Sequence, residues 1–273
     1  MRNTILITGA SSGIGKETGR LFQSKGWNVV ATMRSPDKEK ELAKLDNVFV
    51  TRLDVTDDDS IKSAIDEGIK KFGKIDVLLN NAGYGAYGPL EAFEKSRIKR
   101  QFDTNVIGLL MTTKTILAHF RENRSGIIVN ISSIAGKMTF PLGTLYHGTK
   151  FAVEGLSESL NFELEPIGIK VKIVEPGLIA TDFAGRSLDF ANEESLQEYQ
   201  PVVLKLIEAF SGQAYQAQAS PASAVADVIW EAVTDGTNTL RYTAGDDAKK
   251  YMADRKSLSD EEFISGVKKQ FNL

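Results

Sequence analysis

The chain has no cysteine among its 273 residues. Disulfides, iron–sulfur clusters and thiolate zinc sites are therefore excluded. Histidine is nearly absent as well, with only His119 and His147, so a histidine-rich metal centre is excluded and no metal is expected. Excess positive charge is lacking. Lysine and arginine number 33 against 36 acids, for a formal net charge of −3. That leaves no broad basic field for nucleic acid. No apolar run approaches the ~18 residues of a spanning helix, so no integral membrane segment is expected. The N-terminus enters an apolar run without a charged region and long apolar stretch ahead of it, so no signal peptide is expected either. With the absence of cysteine, this suits a cytoplasmic location. No repeat, low-complexity tract or linker interrupts the chain, and one domain over 1–273 is expected.

What is present is ordinary for a globular protein, 42% hydrophobic and 25% charged residues. Short apolar runs alternate with helical patterns. The runs Thr4–Thr8, Asn28–Met33, Asn47–Leu53, Ile75–Asn80, Gly126–Ser132 and Ile169–Glu175 read as strands, with Thr239–Thr243 as a seventh. Helical patterns run from about Ile14 to Lys25 and near Pro36–Lys44, Asp58–Lys71, Ser96–Asn123 and Leu145–Glu165. Such alternation implies an α/β fold: a doubly wound parallel sheet of about seven strands with helices on both faces. Residues 178–220 differ in character, with scattered aromatics and no strand pattern, and read as an insertion covering a substrate site.

Thr8–Gly15 reads T-G-A-S-S-G-I-G between a strand and a helix. A tight turn, close backbone approach and a helix N-terminus together suit a dinucleotide phosphate, and Gly9, Gly13 and Gly15 supply the turn. The spacing departs from G-x-G-x-x-G, and an ordinary strand-to-helix turn is the competing reading. The second strand ends Thr32-Met33-Arg34, with no acid before Asp37. A carboxylate there would bind a ribose 2′-hydroxyl, whereas a guanidinium accommodates a 2′-phosphate. NADP(H) is expected over NAD(H).

Tyr146 and Lys150 stand four residues apart in a helical pattern and so share a face. A tyrosine hydroxyl is a weak acid, and a nearby ammonium would lower its pKa toward a useful range. Ser132 and Ser133 follow the fifth strand, at the sheet edge where ligands bind. A serine there could hold a carbonyl oxygen. A Ser/His/Asp hydrolase would need an activating histidine, but His147 points about 100° away from Tyr146 around the helix, and both histidines read as structural.

These segments together resemble the short-chain dehydrogenase/reductase family, in the branch with 17β-hydroxysteroid dehydrogenase-like, carbonyl reductase-like and retinol dehydrogenase-like members. The matching motifs are T-G-A-S-S-G-I-G at 8–15, Asp54-Val55, N-N-A-G at 80–83, Asn105, N-I-S-S at 130–133, Y-H-G-T-K at 146–150 and P-G-L-I-A-T at 176–181. The resemblance implies that Gly9, Ser11, Ser12, Gly13, Ile14 and Gly15 cradle the phosphates. Asp54 and Val55 would flank the adenine, and Asn81, Ala82 and Gly83 would pass under its ribose. Pro176, Gly177, Ile179 and Thr181 would fix the nicotinamide. It selects Ser133 over Ser132, makes Tyr146 the acid/base, gives Lys150 to the ribose hydroxyls, and has Asn105 interrupt its helix and hold a relay water. One departure is Ser12, where many NADP-using relatives carry a basic residue, which leaves Arg34 as the main determinant.

The expected activity is reduction of a lipophilic ketone or aldehyde, or its reverse. Phe140 and Phe183 are the expected substrate contacts, in walls that also include Tyr87, Met138, Leu142, Leu188, Phe190 and Tyr199. Pro201–Phe210 has an amphipathic pattern suited to a lid or a dimer contact. The two long helices resemble those the family uses for homodimers and homotetramers. The alternatives are a non-catalytic NADP(H) sensor on the same fold, and an epimerase or dehydratase of the wider superfamily.

Overall fold

The computed structural model describes residues 2–181, 187–212 and 219–273. The strands, in chain order, are β1 (Thr4–Ile7), β2 (Asn28–Met33), β3 (Val48–Arg52), β4 (Val77–Asn80), β5 (Gly85–Tyr87), β6 (Gly126–Ile131), β7 (Ile169–Pro176), β8 (Ile179–Ala180), β9 (Leu188–Phe190), β10 (Ser220–Pro221) and β11 (Arg241–Ala244). The helices are α1 (Gly13–Ser24), α2 (Asp58–Phe72), α3 (Lys95–Phe102), α4 (Gly108–Asn123), α5 (Thr144–Leu164), α6 (Gln200–Ser211), α7 (Ala222–Thr234), α8 (Asp246–Ser257) and α9 (Asp260–Gln270).

Seven strands form one parallel sheet in the order β3-β2-β1-β4-β6-β7-β11, the doubly wound architecture expected from the sequence. Strands covered on both faces are largely apolar, and every residue of β1, β2 and β4 is buried. Alternate residues serve opposite layers. Ile5, Ile7, Val29, Ala31, Val77 and Leu79 pack with Phe22 of α1 and Val225 and Ile229 of α7. Leu6, Val30, Leu78, Ile128 and Val171 pack with Ile61 of α2, Phe120 of α4 and Leu164 of α5. The order reverses between β1 and β4, and a crevice opens there at the carboxyl edge.

Local chemistry explains where the elements stop and where expectation failed. The Asp57 carboxylate accepts from the Ser60 N–H at 3.1 Å to start α2, and Gly73, at φ 87°, ends it. Residues 36–44 are not a helix but two 3₁₀ turns, Pro36–Lys38 and Leu42–Lys44. The Glu39 carboxylate accepts from the N–H groups of Glu41 and Leu42 at 2.7 and 2.9 Å, in competition with helical carbonyls. The pattern over 96–123 is split by a π turn at Asp103–Ile107. Strands do occur within 178–220: β8 pairs with β10, and β9 with β5. Helices α8 and α9 were not anticipated, although Ser259 and Glu262 form a capping box ahead of α9.

Candidate active site

Thr8 follows β1 and binds the end of β4 to the glycine turn. Its Oγ1 accepts from the N–H groups of Asn81 and Ala82 at 2.9 and 3.0 Å. Asn81 Nδ2 donates to the carbonyls of Thr8 and Gly9 at 2.9 and 3.1 Å, so its amide braces the turn. Gly9 and Gly13 take φ of 72° and 53°, in the left-handed region that suits glycine. At Gly15 a Cβ would stand 2.5 Å from the Gly9 carbonyl and 2.6 Å from Asn81 Nδ2. Helix α1 then begins with no acid in its first turn, flanked by Ser11, Ser12 and Ile14. Thr181 is brought over this turn, its Cγ2 3.3 Å from where a Gly13 Cβ would be. The close backbone approach and the acid-free helix N-terminus fit a dinucleotide diphosphate.

Arg34 is exposed at the end of β2, with no ion pair or hydrogen bond among the described residues. The nearby acids Glu39 and Glu41 lie 3.6 and 2.9 Å from Lys16 Nζ; against the effect of burial, hydrogen bonds from Leu42 N and Glu41 N, then the Lys16 charge, hold Glu39 below the ordinary carboxylate range, and Lys16 does so for Glu41. Asp54 accepts from Thr56 N and Oγ1 at 3.0 and 2.8 Å, and Val55 is buried against Gly108. Gly83 faces Asn105 Oδ1.

Strand β6 ends at Ile131 and delivers the two serines to opposite environments. Ser132 Oγ is buried toward Gly136 without a hydrogen-bond partner. Ser133 Oγ donates to the Pro176 carbonyl at 3.3 Å and accepts from Ala135 N at 3.1 Å, and it is the group that opposes the rise of the Tyr146 pKa. Geometry thus places Ser133, not Ser132, with the tyrosine. Lys150, one turn along α5, is buried and donates from Nζ to the Ile131 carbonyl at 2.8 Å.

The expected lowering of the Tyr146 pKa by Lys150 is not found. Burial pushes the phenol up to about 12, opposed only by the Ser133 hydrogen bond. The ammonium sits 5.7 Å from the ring centroid and is bonded to the Ile131 carbonyl. Burial brings Lys150 itself down to about 8, opposed by Glu154. Asn105 is buried in the π turn, as its expected helix interruption requires. Its Oδ1 accepts from Tyr84 N at 3.0 Å, and its Nδ2 donates to Tyr84 O at 2.8 Å and Thr149 Oγ1 at 3.2 Å. Both Nδ2 hydrogens and one Oδ1 acceptor position are thus engaged within the fold.

Pro176 ends β7, and Ile179 begins β8. Gly177 packs on the Asp247 carboxylate, which accepts from Leu178 N at 2.7 Å. Asp247 is a site residue that the sequence did not reveal.

His147 is a brace. Its Nδ1 donates to the Gly143 carbonyl at 2.5 Å and its Nε2 accepts from Phe140 N at 3.1 Å, and burial keeps its pKa below the usual value. Beside it runs a circuit of rings. Tyr146 contacts Tyr87 at 5.5 Å between centroids, Tyr87 contacts Phe210 at 6.1 Å, Phe210 contacts Phe271 at 6.4 Å, and Phe271 contacts Phe140 at 6.5 Å. Phe140 therefore packs on the C-terminal segment and His147. Phe271, from the end of the chain, was not anticipated. Phe183 lies outside the described residues. Helix α6 matches the amphipathic pattern, with Val203 and Leu206 buried and Leu204 and Ile207 exposed. No described helix is long and apolar enough to cross a membrane.

A recess of about 170 Å³ lies far from these groups, at the amino edge of the sheet by Gly126, Gly168 and Lys172. Lys172 is occupied there by the carbonyls of Thr237 and Thr239 and by Tyr242 Oη, each within 2.9 Å.

Known proteins resemble this chain in sequence and fold. The family model for short chain dehydrogenase matches residues 3–191. An uncharacterized oxidoreductase of Schizosaccharomyces pombe is 44% identical over 246 residues, covering 88% of this chain and 100% of its own length. A short-chain dehydrogenase from Streptomyces avermitilis superimposes with a TM-score of 0.83 at 32% identity, over 97% of both chains. ElxO with NADP bound superimposes with a TM-score of 0.74 at 31% identity, over 89% of this chain and 97% of its own.

Proposed function

The chain belongs to the short-chain dehydrogenase family, and from that premise we propose that it moves a hydride between NADP(H) and the carbonyl or alcohol carbon of a lipophilic molecule, with Tyr146 as acid/base. The observation that carries this is that the Ser133 hydroxyl, at the end of β6, acts on the buried Tyr146 phenol, one helical turn from the buried Lys150.

Bound over the glycine turn, the nicotinamide dinucleotide supplies or accepts the hydride. Gly9, Ser11, Ser12, Gly13, Ile14 and Gly15 hold its phosphates, and Asp54, Val55, Asn81, Ala82 and Gly83 line the adenosine end. Pro176, Gly177, Ile179 and Thr181 hold the nicotinamide end, and Lys150 the ribose hydroxyls. Arg34, exposed and without an ion pair among the described residues, favours a 2′-phosphate. The NADP bound to ElxO agrees with that choice.

In reduction, negative charge grows on the substrate oxygen, where Ser133 and Tyr146 donate hydrogen bonds. The phenol, pushed up to about 12, enters the step protonated and gives its proton to that oxygen. The Lys150 ammonium then favours the phenolate left behind. The π-turn main chain at Asn105 holds the water through which the proton is restored. Oxidation runs the same residues in reverse, with the phenolate taking the alcohol proton.

The rings of Tyr87, Phe140, Phe210 and Phe271 favour an apolar, fairly bulky substrate. The described residues 187–212 would cover it within a single domain, through β9 against β5 and Phe210 against Tyr87. Exposed Ile107, Phe151 and Phe162 on the α4–α5 side suit contact between copies in a homodimer or homotetramer.

The test is nicotinamide oxidation, followed by absorbance, against ketones and aldehydes graded from small aliphatic to steroidal. Tyr146→Phe should abolish turnover while NADPH still binds. Full turnover in that variant would sink the mechanism.

A further inference from the structure

Behind Lys150 lies a buried group of charges that hydride transfer leaves without a task. Glu154 stands one helical turn beyond Lys150 and is 4% exposed; Glu175, near the end of β7, is 1% exposed. Arg241 of β11 lies between them. Its Nε is 3.0 Å from Glu154 Oε2 and 3.7 Å from Glu175 Oε1, and its Nη2 reaches outward to Glu158 Oε2 at 2.6 Å. Thr243 Oγ1 donates to Glu175 Oε2 at 3.5 Å, and Lys137 is the remaining cation whose field reaches Glu175.

One guanidinium thus faces three carboxylates, two of them inside the protein. Glu154 Oε1, Glu175 Oε1 and Ser132 Oγ are all buried without a hydrogen-bond partner among the described residues. Gly136 makes room for two of these side chains, because a Cβ there would come within 2.7 Å of Ser132 Oγ and 2.8 Å of Glu154 Cγ. Two ionised carboxylates with unsatisfied oxygens are costly at such burial. The cost falls when one of the pair holds a proton, as in other close carboxyl pairs.

We propose that Glu154 and Glu175 form a buried carboxyl pair, balanced by Arg241 and sharing a proton, whose charge one helical turn from Lys150 keeps that lysine an ammonium ion. This rests on Lys150 being the lysine of the hydride-transfer site. The electrostatics agree. Burial and the Glu154 charge push Glu175 up to about 7. Glu154 is also the group that opposes the burial bringing Lys150 down to about 8. The pair acts through Lys150 and touches neither substrate nor cofactor.

The test is NADPH affinity of the full chain, read by nicotinamide fluorescence from about pH 6 to about pH 10, with turnover followed in parallel. Glu154→Gln should move the alkaline midpoint down by about one pH unit. Glu154→Asp should restore it. Glu158→Gln, which removes a solvent-side partner of the same guanidinium, should leave it in place. Glu175→Gln should lower the midpoint by a smaller amount, and it keeps the test open if Glu154→Gln does not fold. Wild-type midpoints in Glu154→Gln and Glu175→Gln, even with altered melting temperatures, would overturn the proposal while leaving the reductase reading intact. A shifted midpoint without turnover of any carbonyl by the wild type would uphold the pair and overturn the reductase reading.

Discussion

Lys150 Nζ donates to the Ile131 carbonyl at 2.8 Å, which ties the ammonium of α5 to the end of the strand that delivers Ser133. The lysine is thereby held against the crevice wall, on the same helix face as Tyr146. Replacing it with Met keeps the apolar stem and removes the charge. Lys150→Met should lower kcat by about 10²- to 10³-fold, within the range for positioned acid–base groups. Steady-state kinetics beside circular dichroism would check it. Unchanged kcat with an intact fold would remove Lys150 from the chemistry.

Gly15 marks the closest approach of the turn to itself. A methyl group there meets the Gly9 carbonyl at 2.5 Å and Asn81 Nδ2 at 2.6 Å. The Asn81 amide could swing aside, but the Gly9 carbonyl is main chain. Gly15→Ala should weaken NADPH binding at least tenfold and destabilise the fold by about 1–3 kcal/mol, the usual scale of overpacking. Titration calorimetry and thermal unfolding measure the two effects separately. Wild-type affinity would mean that the turn has slack not seen in its geometry.

Arg34 is exposed at the end of β2 and has no ion pair among the described residues. Arg34→Asp replaces a partner for phosphate with one that repels it and accepts from a ribose hydroxyl. The ratio of kcat/KM for NADPH over NADH should fall at least tenfold, mostly through KM for NADPH. An unmoved ratio would take Arg34 out of cofactor selection.

Much of this was legible in the sequence because it is local. The sheet strands are buried runs bounded by turn residues, and each lies within two residues of its expected ends. Tyr146 and Lys150 share a helix face by spacing alone. The failures have a different origin. Residues 36–44 depart from a helix because the Glu39 carboxylate captures two main-chain N–H groups, a choice that periodicity does not reveal. Asp247 meets Gly177, and Phe271 meets Phe210 and Phe140, only once distant segments have packed. The Tyr146 pKa was expected to fall, from the charge of its neighbour. It rises because desolvation belongs to the packed site, and no residue spacing carries it.

The pair behind Lys150 gives the folded state a pH dependence whose sign can be worked out. Glu175 is raised from 4.5 to about 7 on folding. Between those values the native chain binds a proton that the unfolded chain has lost, so the contribution to stability is full below 4.5 and is lost as pH rises through 7. Glu175→Gln keeps a neutral group of the same shape at every pH. It should therefore differ little from the wild type near pH 5 and be more stable near pH 8, by on the order of 2 kcal/mol. Lys150 has the opposite tendency. Depressed from 10.5 to about 8, its penalty is present below 8 and relieved as pH rises toward 10.5, and it largely cancels between the two chains. Thermal unfolding of both chains at the two pH values decides the matter. An equal difference at both would mean that Glu175 does not titrate in that interval, and that Arg241 alone balances the pair.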